Sequence, residues 1–483
     1  MCSPILSQTL NVTYFISILI TPLLIIIIYY YYIYFKTKNR LKNVPKISPN
    51  IASNQEGIYN DLLIKYPKIC GKSFWAMLGF EPILFSCDKD LIEAVLSSHK
   101  HTNKPNIIKF LKRIGKNGLI AANENTWRNH RKVLTPSFHY NLLESNYLKT
   151  FNIESNRFVD DLKEYLKDDS CELVSKAKLW SFRQALETLL GIKSSPKHNL
   201  TSIYMEKLED LIKIISNRVI NPLEYFDFTY YFTNNYRREK QLIRFMDKFA
   251  LEIIEEKIST LHEESPKTTL NLMLKELVNK RWSLRDVFDE IYTTLFTSFE
   301  TTALTLSYTI FNFANHPEMQ EKAYNEIKNV LSPNINQELT SNLLKKLKYL
   351  DSFLKESMRI YTVTGVLPRK LGEEVKWGEL TLPKGLTVVI PVQALHNDPQ
   401  IYPEPYKTIP ERFDKAKSNV YIPFSCGPRS CIGAKYAMLA LKTCLCKLLL
   451  NYKLVSIGHQ LQRSVQVTII SKNGVKIKLE KRN

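Results

Sequence analysis

The sequence predicts a mainly α fold with a small β region, preceded by a single N-terminal transmembrane helix, and three observations predict it. The stretch from Tyr14 to Phe35 carries no charge and is almost wholly apolar or aromatic, long enough to cross a hydrocarbon layer. From about Asn141 to Asn315 apolar residues return every three or four positions with charged residues between them, the period of amphipathic helices. Short β-like runs lie only on the flanks of that region: Phe74 to Leu78 and Ile83 to Ser86 before it, Leu386 to Val392 after it.

Residues 1–35 read as the membrane anchor, because the first charged side chain is Lys36. A cleaved signal peptide is the competing account, but the apolar run is too long and lacks a basic leader and a small-residue cleavage site. Residues 36–50 read as a basic hinge: Lys36, Lys38, Arg40, Lys42 and Lys46 supply charge, and Pro45 and Pro49 break helix. Positive charge stays on the cytoplasmic side of a membrane, which places the body in the cytosol. From 51 to 483 there is no repeat and no low-complexity linker, so the rest reads as one large domain.

Within that domain a helix is expected from Asp88 to Ser98, opened by an acidic first turn. Asp286 to about Asn315 reads as one long helix, with Ile291, Leu295, Phe299, Thr302 and Leu306 on one face. An irregular, Pro-rich stretch from Pro399 to Pro428 precedes a last helix from about Ala434 to Leu450.

Composition excludes several classes. The net charge of +20 is spread along the chain, which disfavours nucleic-acid binding and suits an anionic lipid surface or an acidic protein partner. The 8 cysteines are irregularly spaced with no CxxC pair, which argues against both a disulfide framework and a zinc site.

The most specific segment is Phe424-Ser-Cys-Gly-Pro-Arg-Ser-Cys-Ile-Gly433, of the form F-x-x-G-x-R-x-C-x-G with every fixed position filled. A metal-bound thiolate needs its cysteine on a rigid turn, and Gly427 and Gly433 permit a tight backbone there. Cys431 also precedes a helix, whose N-terminus favours the thiolate. The segment resembles the haem-ligand loop of cytochrome P450 enzymes. The resemblance implies haem b, held without a covalent link other than the bond from Cys431 to the iron, with Phe424 and Gly433 in the cofactor loop.

Further segments carry the same resemblance. Glu356-Ser-Met-Arg359 matches the family's E-x-x-R, and the two residues can share one helical face. Lys348-Tyr-Leu-Asp351 resembles the approach to that helix and Pro410-Glu-Arg-Phe413 the P-E-R-F segment, so Arg412 is implied to join Glu356 and Arg359 in a buried structural network. Trp127-Arg-Asn-His-Arg131 fits W-x-x-x-R, suited to a haem propionate, and the resemblance adds Arg369 and Arg429 as further propionate partners. Leu382-Pro-Lys-Gly385 and Ala394-Leu-His-Asn-Asp-Pro399 extend the likeness from about Ile51 to the C-terminus.

Thr297-Ser-Phe-Glu-Thr-Thr302 aligns with the family's distal-face pattern A/G-G-x-D/E-T-T. Cleaving dioxygen requires protons, and an adjacent carboxylate and hydroxyl can relay them through water. Thr301 is therefore assigned the direct role and Glu300 the relay. Thr297 and Ser298 depart from the usual small residue and glycine, and their hydroxyls could bond back to the preceding turn and bend the helix. Arg131-Lys-Val-Leu-Thr-Pro-Ser-Phe-His139 and Tyr436-Ala-Met-Leu439 resemble the family-4 clan, which contains the fatty-acid omega-hydroxylases and many insect members. Where some of those enzymes carry a glutamate that esterifies the haem this chain has Thr297, so no such link is expected.

The resemblance implies a monooxygenase that inserts one oxygen atom of O2 into a small apolar substrate: a fatty acid, a terpenoid or hormone, or a xenobiotic. No flavin or nicotinamide fingerprint is present. Electrons are then expected from NADPH through a separate NADPH–cytochrome P450 reductase, with cytochrome b5 as a second candidate donor, at the endoplasmic reticulum membrane. Two other readings stay open at this point: a haem-thiolate isomerase or dehydratase acting on peroxides, and a non-catalytic haem- or lipid-binding protein.

Overall fold

The computed structural model describes residues 4–47, 54–193, 200–262, 265–414 and 420–482. Helix α1 runs from Pro4 to Arg40 and is followed by a hairpin of β1 (Ser73–Leu78) and β2 (Glu81–Ser86). Helix α2 (Lys89–Leu96) begins where the Asp88 carboxylate accepts from the Leu91 N–H, and α3 (Glu124–Leu134) where Asn123 does the same for Thr126. The helical body includes α4 (Leu148–Asp161), α5 (Leu173–Thr188), α6 (Leu284–Ala314) and α7 (Lys348–Ile360). Strands β3 (Val366–Lys370) and β4 (Thr387–Pro391) then lead through an irregular stretch to α8 (Ala434–Asn451).

Helix α6 starts two residues before the expected Asp286, because Asp286 closes a capping box with Ser283 rather than opening the helix. Its apolar residues are not confined to one stripe, and α6 is buried on nearly every side. Phe182 of α5 meets Phe299 edge-on at 5.9 Å, and Phe353 of α7 stacks on Phe313 at 3.6 Å. On the other side of the body α4 packs on α8, with Phe151 edge-on to Tyr436 at 4.9 Å and the Tyr436 hydroxyl 2.9 Å from Thr188 Oγ1 of α5.

These four strands form one sheet in the order β1-β2-β4-β3. The hairpin pairs antiparallel, Leu84 of β2 lies beside Val388 of β4 in parallel register, and β3 closes the sheet antiparallel to β4. Strands some three hundred residues apart in sequence thus share one sheet, and Arg369 stands on β3 opposite Val388 of β4.

The segment read as a hinge is helical as far as Arg40 and then fastens to the sheet. Leu41 and Val44 are buried, the Ile47 N–H donates to the Trp75 carbonyl at 2.9 Å, and Trp75 returns the bond to Pro45. Pro49 lies outside the described residues. Among the described residues no helix is long and apolar enough to cross a membrane. In α1, whose first side chains lie outside the described residues, the apolar run Leu24 to Ile28 gives way to four successive tyrosines, so the crossing expected from sequence is not shown.

Candidate active site

A cavity lies between α6 and the loop before α8, and the space, counted with its mouth, is about 1580 Å³. Thr297, Thr301 and Thr305 line one wall, Phe424, Cys431 and Gly433 the opposite one, and Trp127 and Arg131 of α3 an edge.

The cysteine loop is a stack of short turns. Ser425 N–H donates to Ile422, Ser430 to Gly427, and Cys431 to the Phe424 carbonyl at 2.9 Å. The two glycines do different work. Gly427 has φ +70° and sits so close to α2 that a Cβ would lie 2.0 Å from the Leu96 carbonyl oxygen. Gly433 has φ −88° and room for a Cβ at 3.8 Å from Phe138, so its backbone does not require glycine. The Cys431 sulfur opens onto the cavity while protein encloses it on its other sides. Burial raises the thiol, and the Gly433 N–H and the Arg131 guanidinium pull it back toward the thiolate.

Positive charge gathers at the cavity edge. Arg131 donates to the Ser430 carbonyl at 2.8 Å, and Arg369 reaches Pro368 O and, at 3.4 Å, Ser425 Oγ. Arg429, expected at a propionate, lines the cavity; its three nitrogens donate to the carbonyls of Thr102, Leu119 and Ala122 while the guanidinium stacks on Trp127 at 4.3 Å. It ties the cysteine loop to the segment before α3. Burial pushes Arg429 down to about 9 and Arg369 to about 10, and both stay cationic at neutral pH.

Lys104, which carried no sequence signal, lines the same edge. Burial first, and Arg369 and Arg429 next, hold its ammonium well below the usual lysine range. Among the described residues no carboxylate pairs with Lys104 or Arg369. Glu290 also lines this cavity, but its carboxyl is bonded to His130, and cations without a carboxylate partner beside a free thiol fit a group that brings its own carboxylates and a metal, as haem does.

Behind the cysteine loop the structure brings Glu356, Arg359 and Arg412 together. The Arg359 fork donates to both Glu356 oxygens at 2.7 and 2.8 Å, Arg412 Nε reaches Glu356 at 3.3 Å, and Glu356 and Arg359 are fully buried. Arg359 also donates to the His396 carbonyl at 2.8 Å. His396, inside a segment whose likeness was noted but whose role was not, accepts the Ile422 N–H on Nε2 at 3.0 Å and so holds the start of the cysteine loop.

On α6 the threonines form a ladder that reaches beyond the positions singled out in sequence. Thr297, Thr301, Thr305 and Thr309 each donate to the carbonyl four residues back, at 2.7 to 2.8 Å. Thr297 therefore bonds back as expected. Glu300 differs from expectation: neighbouring residues on a helix point about 100° apart, and its carboxylate faces away from the cavity. It pairs with Lys178 of α5 at 3.1 Å, accepts from Thr468 at 3.2 Å, and borders a separate polar pocket with Glu209, Ser175 and Gln466. Acid and alcohol are not adjacent partners in this conformation.

A mainly helical body whose cavity is lined by the free Cys431 sulfur, a cationic edge and a hydroxyl-bearing helix defines a haem-thiolate protein. A family model described as Cytochrome P450 matches residues 42–479, and the chain belongs to that family. It is similar to Probable cytochrome P450 4d21 of Drosophila melanogaster, 28% identical over 88% of each chain. It is also similar to Cytochrome P450 4V2 of Mus musculus, 28% identical over 84% of this chain and 82% of the relative. It is a haem-thiolate monooxygenase of the family-4 type.

Two outcomes test this geometry. Gly427→Ala should abolish haem retention or folding, whereas Gly433→Ala should retain haem; equal behaviour of the two variants, read by Soret absorbance per folded protein, would contradict the loop as described. Burial, then Arg359, pushes His396 down to about 3. An unfolded histidine titrates near 6.5, so the unfolded chain binds the proton first and stability falls as pH drops from about 6.5 toward 3. His396→Gln should flatten that decline in thermal midpoint, and an unchanged slope would show that His396 does not titrate as argued.

Proposed function

We propose that the cavity holds haem with Cys431 as the axial ligand and that the chain uses it to hydroxylate a small apolar substrate, with electrons from a separate NADPH-dependent reductase. The observation that carries the reading is the placement of Thr301 and the Cys431 sulfur on opposite walls of one enclosed cavity. Haem, when bound, supplies dioxygen binding and activation. Everything else falls to the chain's own residues.

The Gly433 N–H and Arg131 face the Cys431 sulfur and would steady it as a thiolate once haem iron is bound. Lys104, Arg131, Arg429 and Trp127 line the edge that receives the carboxylates of the cofactor, Arg369 stands behind it against Ser425, and Arg429 also holds the loop that shapes it. Leu119, Ile120, Val363 and Leu367 give the remaining wall its apolar character, which suits a lipid-like or terpenoid molecule and excludes water. Thr301 donates to the Thr297 carbonyl at rest; turning that O–H into the cavity lets it give its proton there and take a replacement from a hydrogen-bonded water, so the hydroxyl ends as it began. Glu300 serves as carrier from the polar pocket on the far side of α6 only after its carboxylate leaves Lys178. Exposed Lys435 on the cysteine side suits an acidic reductase face, and the absence of a flavin fingerprint requires such a donor. No observation favours the peroxide-rearranging or the non-catalytic reading.

We also propose attachment to the cytosolic face of the endoplasmic reticulum membrane. The uncharged stretch from Tyr14 to Phe35, followed by Lys36, Lys38 and Arg40, supports an anchor. A second apolar surface supports a resting contact: Leu223, Phe226, Phe228, Tyr231 and Phe232 are exposed, Phe228 by 79%. The two surfaces are linked, since Tyr30 of α1 meets Phe80 of the hairpin at 6.0 Å and Gly79 faces Tyr225.

With reductase and NADPH present, Thr301→Ala should keep NADPH consumption while product per NADPH falls by roughly tenfold or more and hydrogen peroxide rises. Unchanged product yield would remove Thr301 from the proton path. Protein lacking residues 1–35 should still sediment with anionic vesicles, and adding Phe228→Asp with Phe232→Asp should release it. Retention of that double variant would dismiss the second contact.

A further inference from the structure

We infer that Glu290 is a positioning residue for the cofactor edge: through His130 its buried carboxyl fixes the rotation of α3, and so where Trp127 and Arg131 stand in the cavity wall. The inference rests on the haem-binding reading given above.

Glu290 is fully buried on α6, and its Oε1 lies 2.8 Å from Nδ1 of His130, itself only 3% exposed on α3. Among the described residues this is the one side-chain hydrogen bond that joins α3 to α6. His130 stands three residues after Trp127, one before Arg131 and four before Leu134, and all three of those line the cavity. Trp282, just ahead of α6, stacks on the imidazole with centroids 3.9 Å apart and planes 28° from parallel. The imidazole is therefore held by its face and by one nitrogen.

The second carboxyl oxygen, Oε2, is buried without a well-formed hydrogen bond and lies beside the Leu119 backbone N–H. The Leu119 carbonyl in turn accepts from Arg429. One carboxyl thus sits where α6, α3 and the segment carrying the Arg429 contacts converge. Thr293, one turn further along α6, is packed so tightly under Gly118 that a Cβ there would lie 1.9 Å from Thr293 Oγ1.

A hydrophobic side chain at this junction would bury apolar area without direction, because such contacts constrain distance and not rotation. A hydrogen bond is directional and weakens steeply off-axis. Burying a carboxyl is costly, and what this one supplies that an aliphatic group cannot is orientation. Turning α3 about its axis displaces Trp127 and Arg131 together, since both follow from the same helix.

The test is haem transfer from the ferric holoprotein to apomyoglobin, measured for wild type, Glu290→Gln, Glu290→Leu and His130→Phe, which keeps the stack on Trp282. Glu290→Leu and His130→Phe should each release haem roughly tenfold faster, the loss expected for one buried directional bond, and together no faster than either alone. Glu290→Gln, which keeps the bond without the charge, should stay within about twofold of wild type. The reduced carbon monoxide complex should remain thiolate-type throughout. Wild-type release rates in Glu290→Leu and His130→Phe, additive effects, or a Glu290→Gln rate matching Glu290→Leu would each overturn the inference. If Glu290→Leu shows no cooperative unfolding transition, the His130→Phe rate decides alone. Wild-type protein that takes up no haem overturns the haem reading and this inference with it, whereas haem-loaded protein with unmoved rates overturns this inference only.

Discussion

A sulfur anion can stand inside a protein only if N–H groups and positive charge meet it, and the architecture around Cys431 answers that constraint. The loop cannot supply the setting alone. Gly427 presses it onto α2, Arg429 pins it to three carbonyls before α3, and His396 holds its start against the buried Glu356–Arg359 pair. Each tie comes from a different part of the chain, so the loop is the point at which the helical body and the four-stranded sheet are joined. Breaking one partner of the Glu356 network would strand a buried charge at a cost of roughly 3–5 kcal/mol, which makes the platform under the cofactor sensitive to single changes.

The opposite wall follows a different logic. Helix α6 carries hydroxyls at every fourth position from Thr293 to Thr309, and those at Thr297, Thr301, Thr305 and Thr309 spend their protons on the helix's own carbonyls. Of these, Thr297, Thr301 and Thr305 line the cavity, so hydroxyls already satisfied as donors keep acceptors near the place where protons are needed. Glu300 is kept out of this row by Lys178, and the carboxyl that does line the cavity, that of Glu290, is bonded to His130. Proton supply and apolar binding are separated by the thickness of one helix.

Much of this was legible in the sequence because it depends on local pattern. Apolar pattern located α6 and α8 to within two residues, and the loop from Phe424 to Gly433 carries a pattern specific enough to suggest its own chemistry. What was not legible depends on contacts between distant segments. The pairing of β2 with β4, the convergence of Lys104 with Arg369, and the link from His130 to Glu290 have no local signature. Glu300 shows the same limit from the other direction: its neighbour Thr301 faces the cavity, but one step along a helix turns a side chain by about 100°, and only the position of Lys178 shows which way it went. Arg429 lines the cavity, and the clamp it forms on the carbonyls of Thr102, Leu119 and Ala122 could not be read from its place beside Cys431.

The central claim is that the Cys431 sulfur is the axial ligand of a haem held in this cavity. The most direct measurement is the reduced carbon monoxide difference spectrum of the full chain beside that of Cys431→His, at equal folded protein. The account requires a thiolate-type Soret band in the unsubstituted chain and an imidazole-type band, or none, in the variant. A thiolate-type band that survives in Cys431→His, or no band in folded unsubstituted protein supplied with haem, would contradict it.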